Sequence, residues 1–470
     1  MMPLFVLLLF SIFASQIQPA EGATVHRRFL LNNDGSNLFW RDDLSMKLVR
    51  RHVSECPDAI TTYLLCPNGI QKMFYPSAHE ELSTSGVLSS LVAAGEDPFG
   101  EFIEGLKKRG FETFVTFRMN EVHNVDNPND PNLSSFWREH PEYRVERGEN
   151  PGNWMAQCLD YSLEPVRERT LRLLVEILEK YQPDGIELDW MRFPRHLSGE
   201  GDEVWGKRHH LTSVVVAVRE ATKNLEERLG RHIAVAVRVP TSLAGCRALG
   251  VDIVEWNRQE LIDFLTVAPF LSTDFSMPIR EMRSALSVRP IPIYAGVEFG
   301  YGGNPHREET LRAAALGLFD SGADGIYIFN FPCWRELQAH PPWSWIPLLR
   351  DPALLKGRDL IFPIISDRHR VARIDLPAQL PKDFAPNEEH SLSLSVPRIA
   401  LANDNRPTKA ILQVEPETDF EMRLNDVKLE SGMEVPVGSL RSGINEIILK
   451  NIGSDSVSIA SVELQLSYPM

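Results

Sequence analysis

The sequence has few cysteines and no long apolar run beyond its first residues. Its five cysteines are an odd number, so at least one thiol must be free or paired with another chain. None lies in a CxxC motif or in a Cys/His cluster with the spacing of a zinc site. No later segment is long and apolar enough to span a membrane. We therefore expect neither a bound metal nor an integral membrane segment.

Positive charge is also scarce. Lys and Arg number 49 against 64 Asp and Glu, a formal net charge of −15 at pH 7. Nucleic acid is not an expected partner, because binding phosphates needs clustered positive charge. No Gly-rich phosphate-binding loop follows the first predicted strand, which argues against a bound nucleotide. No cofactor is expected.

The first residues are typical of a secretory signal. An apolar run from Leu4 to Ala14 is followed by a polar stretch that ends in Ala20-Glu21-Gly22. A short apolar region before small residues is the pattern of a cleaved signal, although the usual basic residues at its start are missing. The run is too short to anchor the protein in a bilayer. We expect residues 1–22 to be removed and the protein to be secreted, either extracellular or periplasmic.

Strand-like apolar runs then alternate with amphipathic helical patterns as far as about Leu349. The eight predicted strands are Arg28–Asn32, Thr61–Cys66, Glu112–Asn120, Gly185–Trp190, Ile233–Val239, Phe264–Pro269, Ile291–Phe299 and Gly325–Phe331. The clearest helical patterns are Val166–Tyr181, His210–Leu229 and Glu308–Ser321. This alternation predicts an α/β fold, a (β/α)8 TIM barrel over residues 23–356, rather than an open doubly wound sheet.

After about Gly357 the helical periodicity stops and short alternating segments appear. They are Ser391–Val396, Lys409–Val414, Phe420–Leu424, Glu446–Leu449 and Ser458–Leu466, with turn-rich pieces between them. This pattern predicts a small antiparallel β-sandwich over residues 357–470. Such a domain either binds glycans or covers one flank of the barrel, and we favour the covering role.

The fourth predicted strand carries two carboxylates. Because side chains alternate across a strand, Glu187, Asp189 and Met191 share one face, opposite an apolar face that suits packing on helices. In a parallel barrel the acidic face points to the axis, and active sites lie at the carboxyl ends of the strands. Burying carboxylates is costly unless they are paired or protonated, so this strand is the first place to look for catalysis.

A longer motif surrounds this strand. It consists of Leu159–Arg167, with Asp-Tyr and Glu-Pro-Val-Arg, then Tyr181–Asp189, with Tyr-x-x-Asp-Gly-Ile-x-x-Asp, then Arg192–Pro194. These roughly 40 residues resemble the family-10-like glycosyl hydrolases of bacteria. The resemblance implies a (β/α)8 barrel that acts on a polysaccharide or cell-wall glycan, and it places the family's strand-four aspartate at Asp189. Glu187 stands where family members often carry His or Gln.

The same strand is also similar to the chitinase signature Asp-Gly-x-Asp-x-Asp-x-Glu. In chitinases the final Glu is the proton donor, and here that position is Met191. A thioether cannot donate a proton, so the resemblance does not extend to the chitinase mechanism.

Glycoside hydrolysis usually needs two carboxyl groups on either side of the scissile bond. Asp189 is our first choice as nucleophile or base, and Glu298, at the end of the seventh strand, is our choice as general acid. Asp274, a few residues beyond the sixth strand, is the alternative acid. Glu187 lies deeper in the barrel, where we expect it to support Asp189, with Arg238 as its ion-pair partner, or to take part in catalysis directly.

Several residues at strand ends are predicted to bind substrate. They are Arg118, Asn120, Arg192, Arg238, Asp274 and Trp334. Arginine suits carboxylates and sulfates, and an aromatic ring suits the apolar face of a sugar. Acidic or sulfated sugars are therefore one hypothesis; the alternative is that the arginines neutralise the carboxylates.

The sequence thus predicts a secreted glycoside hydrolase that acts on a polysaccharide through Asp189 and Glu298. Two alternatives stay open. One is a catalytically inactive glycan-binding protein that keeps the groove of the barrel, and the other is a lyase or transferase on the same barrel.

Overall fold

A computed structural model describes residues 28–146, 153–364, 366, 370–371, 373–416, 419–429 and 434–469. The predicted signal sequence, residues 1–22, lies outside these ranges. Within them no helix has the length and apolar character needed to cross a bilayer. All five cysteines fall inside the described ranges, and each is a buried free thiol.

In the described part of the chain, eight parallel strands close into a barrel, as the alternation predicts. They are β1 (Leu30–Asn33), β2 (Thr62–Leu65), β3 (Glu112–Arg118), β4 (Gly185–Asp189), β5 (Ala234–Val239), β6 (Phe264–Val267), β7 (Ile293–Val297) and β8 (Gly325–Ile328). Each strand pairs with the next along the chain, and β1 closes the ring by pairing with both β2 and β8. Every strand overlaps the segment predicted for it.

Helices lie between the strands of the barrel along the described part of the chain. They are α1 (Ser36–Phe39), α2 (Met46–Glu55), α3 (Leu88–Ala93), α4 (Pro98–Lys108), α5 (Ser135–Glu139), α6 (Glu164–Tyr181), α7 (Asp202–Gly206), α8 (His209–Leu229), α9 (Leu243–Leu249), α10 (Ile253–Arg258), α11 (Ile279–Ala285) and α12 (Glu308–Asp320). In α6, Val166, Leu173 and Ile177 are buried at helical spacing, so one face packs on the barrel. Pro165 in its first turn suits the start of a helix, where no intrahelical N–H bond is lost.

The interior of the barrel is packed with side chains rather than open. The buried residues of this inner layer are Leu30, Leu64, Phe114, Ala234, Ala236, Phe264, Tyr294, Tyr327 and Phe329. A glycine is required at Gly185, because a Cβ there would lie 2.2 Å from the ring of Phe114. Polar side chains lie on both sides of this layer: Thr62 and Glu112 hydrogen-bond below it, and Glu187, Asp189 and Arg238 lie towards the carboxyl ends of the strands.

The C-terminal part forms antiparallel sheets, as predicted. Its strands are β9 (Leu360–Pro363), β10 (Lys382–Phe384), β11 (Glu389–Val396), β12 (Lys409–Glu415), β13 (Phe420–Leu424), β14 (Val427–Leu429), β15 (Gly443–Asn451), β16 (Val457–Ile459) and β17 (Ser461–Ser467). One sheet has the order β9-β17-β12 and another β11-β15-β13-β14, and β10 pairs with β16. Strand β9 packs against α12, whose small residues Ala313–Ala315 are buried. These sheets therefore cover one flank of the barrel.

Candidate active site

The carboxyl ends of β3, β4 and β5 bring charged side chains to one level of the barrel. In the sheet register Arg118 lies opposite Asp189, and Asp189 lies opposite Arg238. Each is at most 2 % exposed. In (β/α)8 barrels this end is where active sites are built.

One guanidinium joins the two carboxylates that we predict to be catalytic. Nη1 of Arg238 donates to Asp189 Oδ1 at 3.0 Å and to Oδ2 at 3.2 Å, and Nη2 donates to Glu298 Oε1. The guanidinium also lies over the ring of Phe329, with Cζ 4.2 Å from the ring centroid. Asp189 and Glu298, which are 109 positions apart in the sequence, thus meet at the C-terminal end of the barrel, which we call the mouth. We call Asp189, Arg238 and Glu298 the carboxylate bridge.

Asp189 is held by the backbone as well as by Arg238. Its Oδ1 accepts hydrogen bonds from the N–H of Met191 at 2.9 Å and from the N–H of Arg192 at 3.2 Å. The turn that follows β4 therefore folds back over the carboxylate. These bonds, all accepted by the carboxylate oxygens, fix the orientation of Asp189.

Glu298 has the properties of an acid. Burial raises its pKa to about 7, and the nearby charge of Asp189 adds to the rise, although Arg238 and Arg192 oppose it. Its Oε2 is buried and has no hydrogen-bond partner among the described residues. The carboxyl group therefore keeps its proton to a higher pH than an ordinary glutamate does. The unpaired Oε2 is the oxygen that is free to carry this proton.

Glu187 lies one layer below Asp189 and is fully buried. Its Oε1 accepts hydrogen bonds from the hydroxyls of Thr116 at 2.7 Å and Tyr327 at 2.8 Å. The prediction that Glu187 forms an ion pair with Arg238 is wrong. In the register Glu187 lies opposite Ala236, and the guanidinium of Arg238, one level higher, binds Asp189 and Glu298 instead. Burial, reinforced by Asp189, raises the pKa of Glu187 to about 7.

Replacing Glu187 with Gln is expected to stabilise the protein above pH 7. The pKa of Glu187 is raised from 4.5 to about 7 by folding, so its contribution to stability is full below 4.5 and is lost as the pH rises through 7. At higher pH the wild type buries a charge that Gln does not carry, which is worth at most about 3 kcal/mol. Urea unfolding at about pH 5 and pH 8 measures the change.

The stability gained by this variant should be larger at the higher pH. The matched control is Glu227→Gln, an exposed position on α8, where no such dependence is expected. A Glu187→Gln protein that is less stable than the wild type at about pH 8 would contradict the burial of an ionised carboxylate.

Arg118 and Arg192, both predicted to bind substrate, have different surroundings. Arg118 donates to Asp34 Oδ2 at 3.0 Å and to Glu121 Oε2 at 2.7 Å, so carboxylates of the protein already neutralise it. Arg192 donates through Nη2 to His123 Nε2 at 3.0 Å. Asp34 directly follows β1, and Glu121 lies three residues beyond the end of β3; neither is among the predicted site residues. Contact with a substrate stays a prediction for both arginines.

Asn120 and Trp334 also differ in what they contact. The amide of Asn120 donates to the carbonyl oxygens of Leu159 at 3.1 Å and Arg195 at 2.7 Å, and so joins two loops. Trp334, after β8, is partly exposed, and its ring centroid lies 5.4 Å from that of Phe299, the neighbour of Glu298. Trp334 therefore packs against the residue next to Glu298, and its partly exposed ring is of the kind that stacks on a sugar.

Asp274, the alternative acid, is tied to the C-terminal part. It is fully buried and forms an ion pair with Arg370. Nearby, the carboxylate of Asp375 accepts hydrogen bonds from the backbone N–H groups of Phe270 at 3.0 Å and Val371 at 2.7 Å. The loop after β6 therefore contacts the segment that leads into the C-terminal sheets through an ion pair and a hydrogen bond. Like Glu298, Asp274 has a pKa raised by burial and one oxygen without a partner among the described residues. Glu298 shares its arginine with Asp189, whereas Asp274 pairs with Arg370, so the geometry favours Glu298 as the acid.

One cluster in the mouth has donor atoms of the kind that bind metals. Ligand atoms of Asp34, Cys333 and Glu336 lie within 4.8 Å of one another. Asp34, however, accepts hydrogen bonds from Arg118 and from Asn330 at 2.6 Å. The pKa of the Cys333 thiol is raised well above its ordinary value by burial and by Asp34. A protonated thiol and a carboxylate already paired with a guanidinium do not fit a divalent cation.

The chain is similar in structure to several solved proteins. No protein-family model matches the sequence, and no curated protein does. A GH138 enzyme that targets the pectin rhamnogalacturonan II aligns with 13% identity and a TM-score of 0.41 over 64% of this chain, which spans only 34% of that enzyme. A glycoside hydrolase family 18 N-acetylglucosaminidase from Paenibacillus barengoltzii aligns with 12% identity and a TM-score of 0.37, over 68% of this chain and 99% of that one.

A maltogenic alpha-amylase from Thermotoga neapolitana aligns over 93% of this chain and 99% of its own, with 13% identity and a TM-score of 0.40. Similarity at this level carries no information on activity or substrate. A functional assignment therefore has to rest on the geometry of the site.

Proposed function

We propose that the protein is a glycoside hydrolase that cleaves the O-glycosidic bonds of a polysaccharide with Asp189 and Glu298. The observation that carries the proposal is the carboxylate bridge: two carboxyl groups, from the ends of β4 and β7, meet at the C-terminal mouth of the barrel on Arg238. Paired carboxyl groups at this end of a barrel are what hydrolysis of a glycosidic bond requires.

The two carboxyl groups have different surroundings, which suits different roles. Asp189 accepts hydrogen bonds from two backbone N–H groups and from Arg238, so it is suited to act as the anionic nucleophile or base. Glu298, whose pKa burial raises to about 7, is suited to protonate the leaving oxygen. Arg238 orients both groups, and Trp334 is placed to stack on a sugar ring.

The pH dependence of activity tests the role of Glu298. A general acid must be protonated, so kcat/KM is expected to fall as the pH rises through about 7, the raised pKa of Glu298. The initial rate of reducing-end release, measured between about pH 5 and pH 9, gives the profile. A rate that rises through this range would mean that Glu298 is not the acid.

A non-catalytic glycan-binding protein is the second candidate, and the burial of the site favours it. Asp189 and Glu298 are 1 % and 2 % exposed, and Arg238 pairs with both, as a structural ion-pair cluster would. A panel of neutral and acidic polysaccharides, assayed for new reducing ends, separates the two. The hydrolase releases reducing ends from at least one polysaccharide, whereas the binding protein retains a glycan in calorimetry without cleaving it.

We further propose that residues 1–22 direct secretion and are then cleaved, so that the enzyme acts outside the cytoplasm. N-terminal sequencing of the exported protein tests this. A first residue close to Ala23 is expected, and an intact Met1 in the exported protein would contradict it.

A further inference from the structure

Arg192 has two buried guanidinium nitrogens without a hydrogen-bond partner among the described residues, whereas Arg238 has one, Nε. Arg118 and Arg238 each donate to two carboxylates. Arg192 is 8 % exposed, and only its Nη2 is paired, with His123. Its Nε and Nη1 are buried and have no partner among the described residues. These two nitrogens carry three of the five N–H donors of a guanidinium.

The position of Arg192 is next to the carboxylate bridge. Its backbone N–H donates to Asp189 Oδ1 at 3.2 Å, and the charges of Glu298 and Arg118 act on its side chain. Burial, followed by repulsion from Arg118, lowers the pKa of Arg192. The guanidinium is therefore less well neutralised than its neighbours, although Asp34 and Glu121 also contribute negative charge.

The contact with His123 fixes one end of the guanidinium. Nδ1 of His123 pairs with Glu121 Oε1, which leaves Nε2 as the acceptor for Arg192 Nη2. The ring of Phe193 lies 5.2 Å from the guanidinium carbon. Neither neighbour takes the hydrogen bonds of Nε or Nη1, and a buried N–H group calls for an acceptor.

We propose that Arg192 binds the anionic group of the substrate and selects a sugar that carries a carboxylate, a uronic acid, beside the bond that is cleaved. This inference rests on the proposed function. Oxyanions are the ligands that a guanidinium prefers, and they form charge-assisted hydrogen bonds with it. A sulfate ester offers the same kind of oxygen, so the experiment has to separate these two sources.

The test compares substrates that differ in charge alone. A polyuronate and its methyl ester share one backbone, as do a sulfated glycan and its desulfated form. For the wild type, kcat/KM on the polyuronate should exceed that on the methyl ester. Arg192→Met should lower kcat/KM on the polyuronate by about 10- to 100-fold, mainly because KM rises rather than because kcat falls. Activity on the methyl ester should change by no more than a few-fold.

Two further variants control for a structural effect. Arg192→Lys keeps the charge and should retain part of the preference, whereas Arg228→Met removes an exposed arginine of α8 and should leave it unchanged. A preference for the sulfated pair alone would assign the subsite to sulfate and overturn the uronic acid. Equal activity on the charged and uncharged members, or a preference that survives in Arg192→Met, would overturn the subsite itself.

The anion-binding role of Arg192 is testable even if the protein is not a hydrolase. If the wild type cleaves no glycan, calorimetry with the polyuronate and its ester still measures the preference for charge. Tighter binding of the polyuronate that weakens with salt and is lost in Arg192→Met supports the subsite without catalysis. If the wild type binds the polyuronate and its ester equally well, the subsite is overturned. This measurement uses the wild type alone, so it does not depend on whether a variant folds.

Discussion

Asp189→Asn and Glu298→Gln are each expected to lower kcat by about 10²- to 10⁴-fold while the protein stays folded. Asn keeps an oxygen that is able to accept hydrogen bonds from Met191 and Arg192, but it cannot act as a nucleophile or base. Gln keeps an acceptor for Arg238, but it cannot donate a proton to the leaving group as an acid does. The rate of reducing-end release at saturating polysaccharide is the measurement.

The leaving group separates the two roles. A substrate whose leaving group departs without protonation should restore much of the activity of Glu298→Gln, and it should not restore that of Asp189→Asn. The controls are Asp58→Asn and Glu227→Gln, which are exposed and far from the mouth, and both should behave as the wild type does. Near wild-type turnover in either active-site variant would remove that residue from the mechanism.

Replacing Arg238 with Met is expected to destabilise the protein by about 3–5 kcal/mol at pH 8. The guanidinium is the shared partner of Asp189 and Glu298, both buried, and its loss leaves two buried carboxylates without the counter-charge that they share. The free energy of unfolding in urea, compared with that of the wild type, measures the effect.

The matched control for Arg238 is Arg228→Met. Arg228 pairs with Glu179 on the surface, and exposed ion pairs contribute about 0–1 kcal/mol. The loss in Arg238→Met should also shrink as the pH falls. Arg238 opposes the rise in the pKa of Glu298, so without it that pKa is higher still, and the stability that Glu298 contributes is present at low pH and lost as the pH rises through this pKa. An Arg238→Met protein as stable as the wild type at pH 8 would contradict the role of the bridge.

The fold was largely predictable because it depends on patterns that repeat along the chain. Alternating apolar runs located all eight strands of the barrel, including β4 with Glu187 and Asp189 on one face. The same parity placed Glu298, just beyond β7, on the inner face that it shares with Tyr294. Side-chain direction on a single strand follows from its period of two, which a sequence shows directly.

Partners across strands were less predictable. The sequence indicated that Arg238 faces the axis, but not that it is level with Asp189, because the register between β4 and β5 is a property of the closed sheet. The ion pair of Asp274 with Arg370 joins residues 96 positions apart, in the barrel and in the segment after it. Neither local pattern nor spacing encodes such a contact.

The most direct test of the catalytic pair is hydrolysis in isotopically labelled water, followed by mass spectrometry of the products. The wild type is expected to place one labelled oxygen at each new reducing end, and folded Asp189→Asn and Glu298→Gln proteins should form almost no labelled product. Products without label would indicate a lyase or transferase. Labelled product formed at the wild-type rate by either variant would contradict the assignment of Asp189 and Glu298 as the catalytic pair.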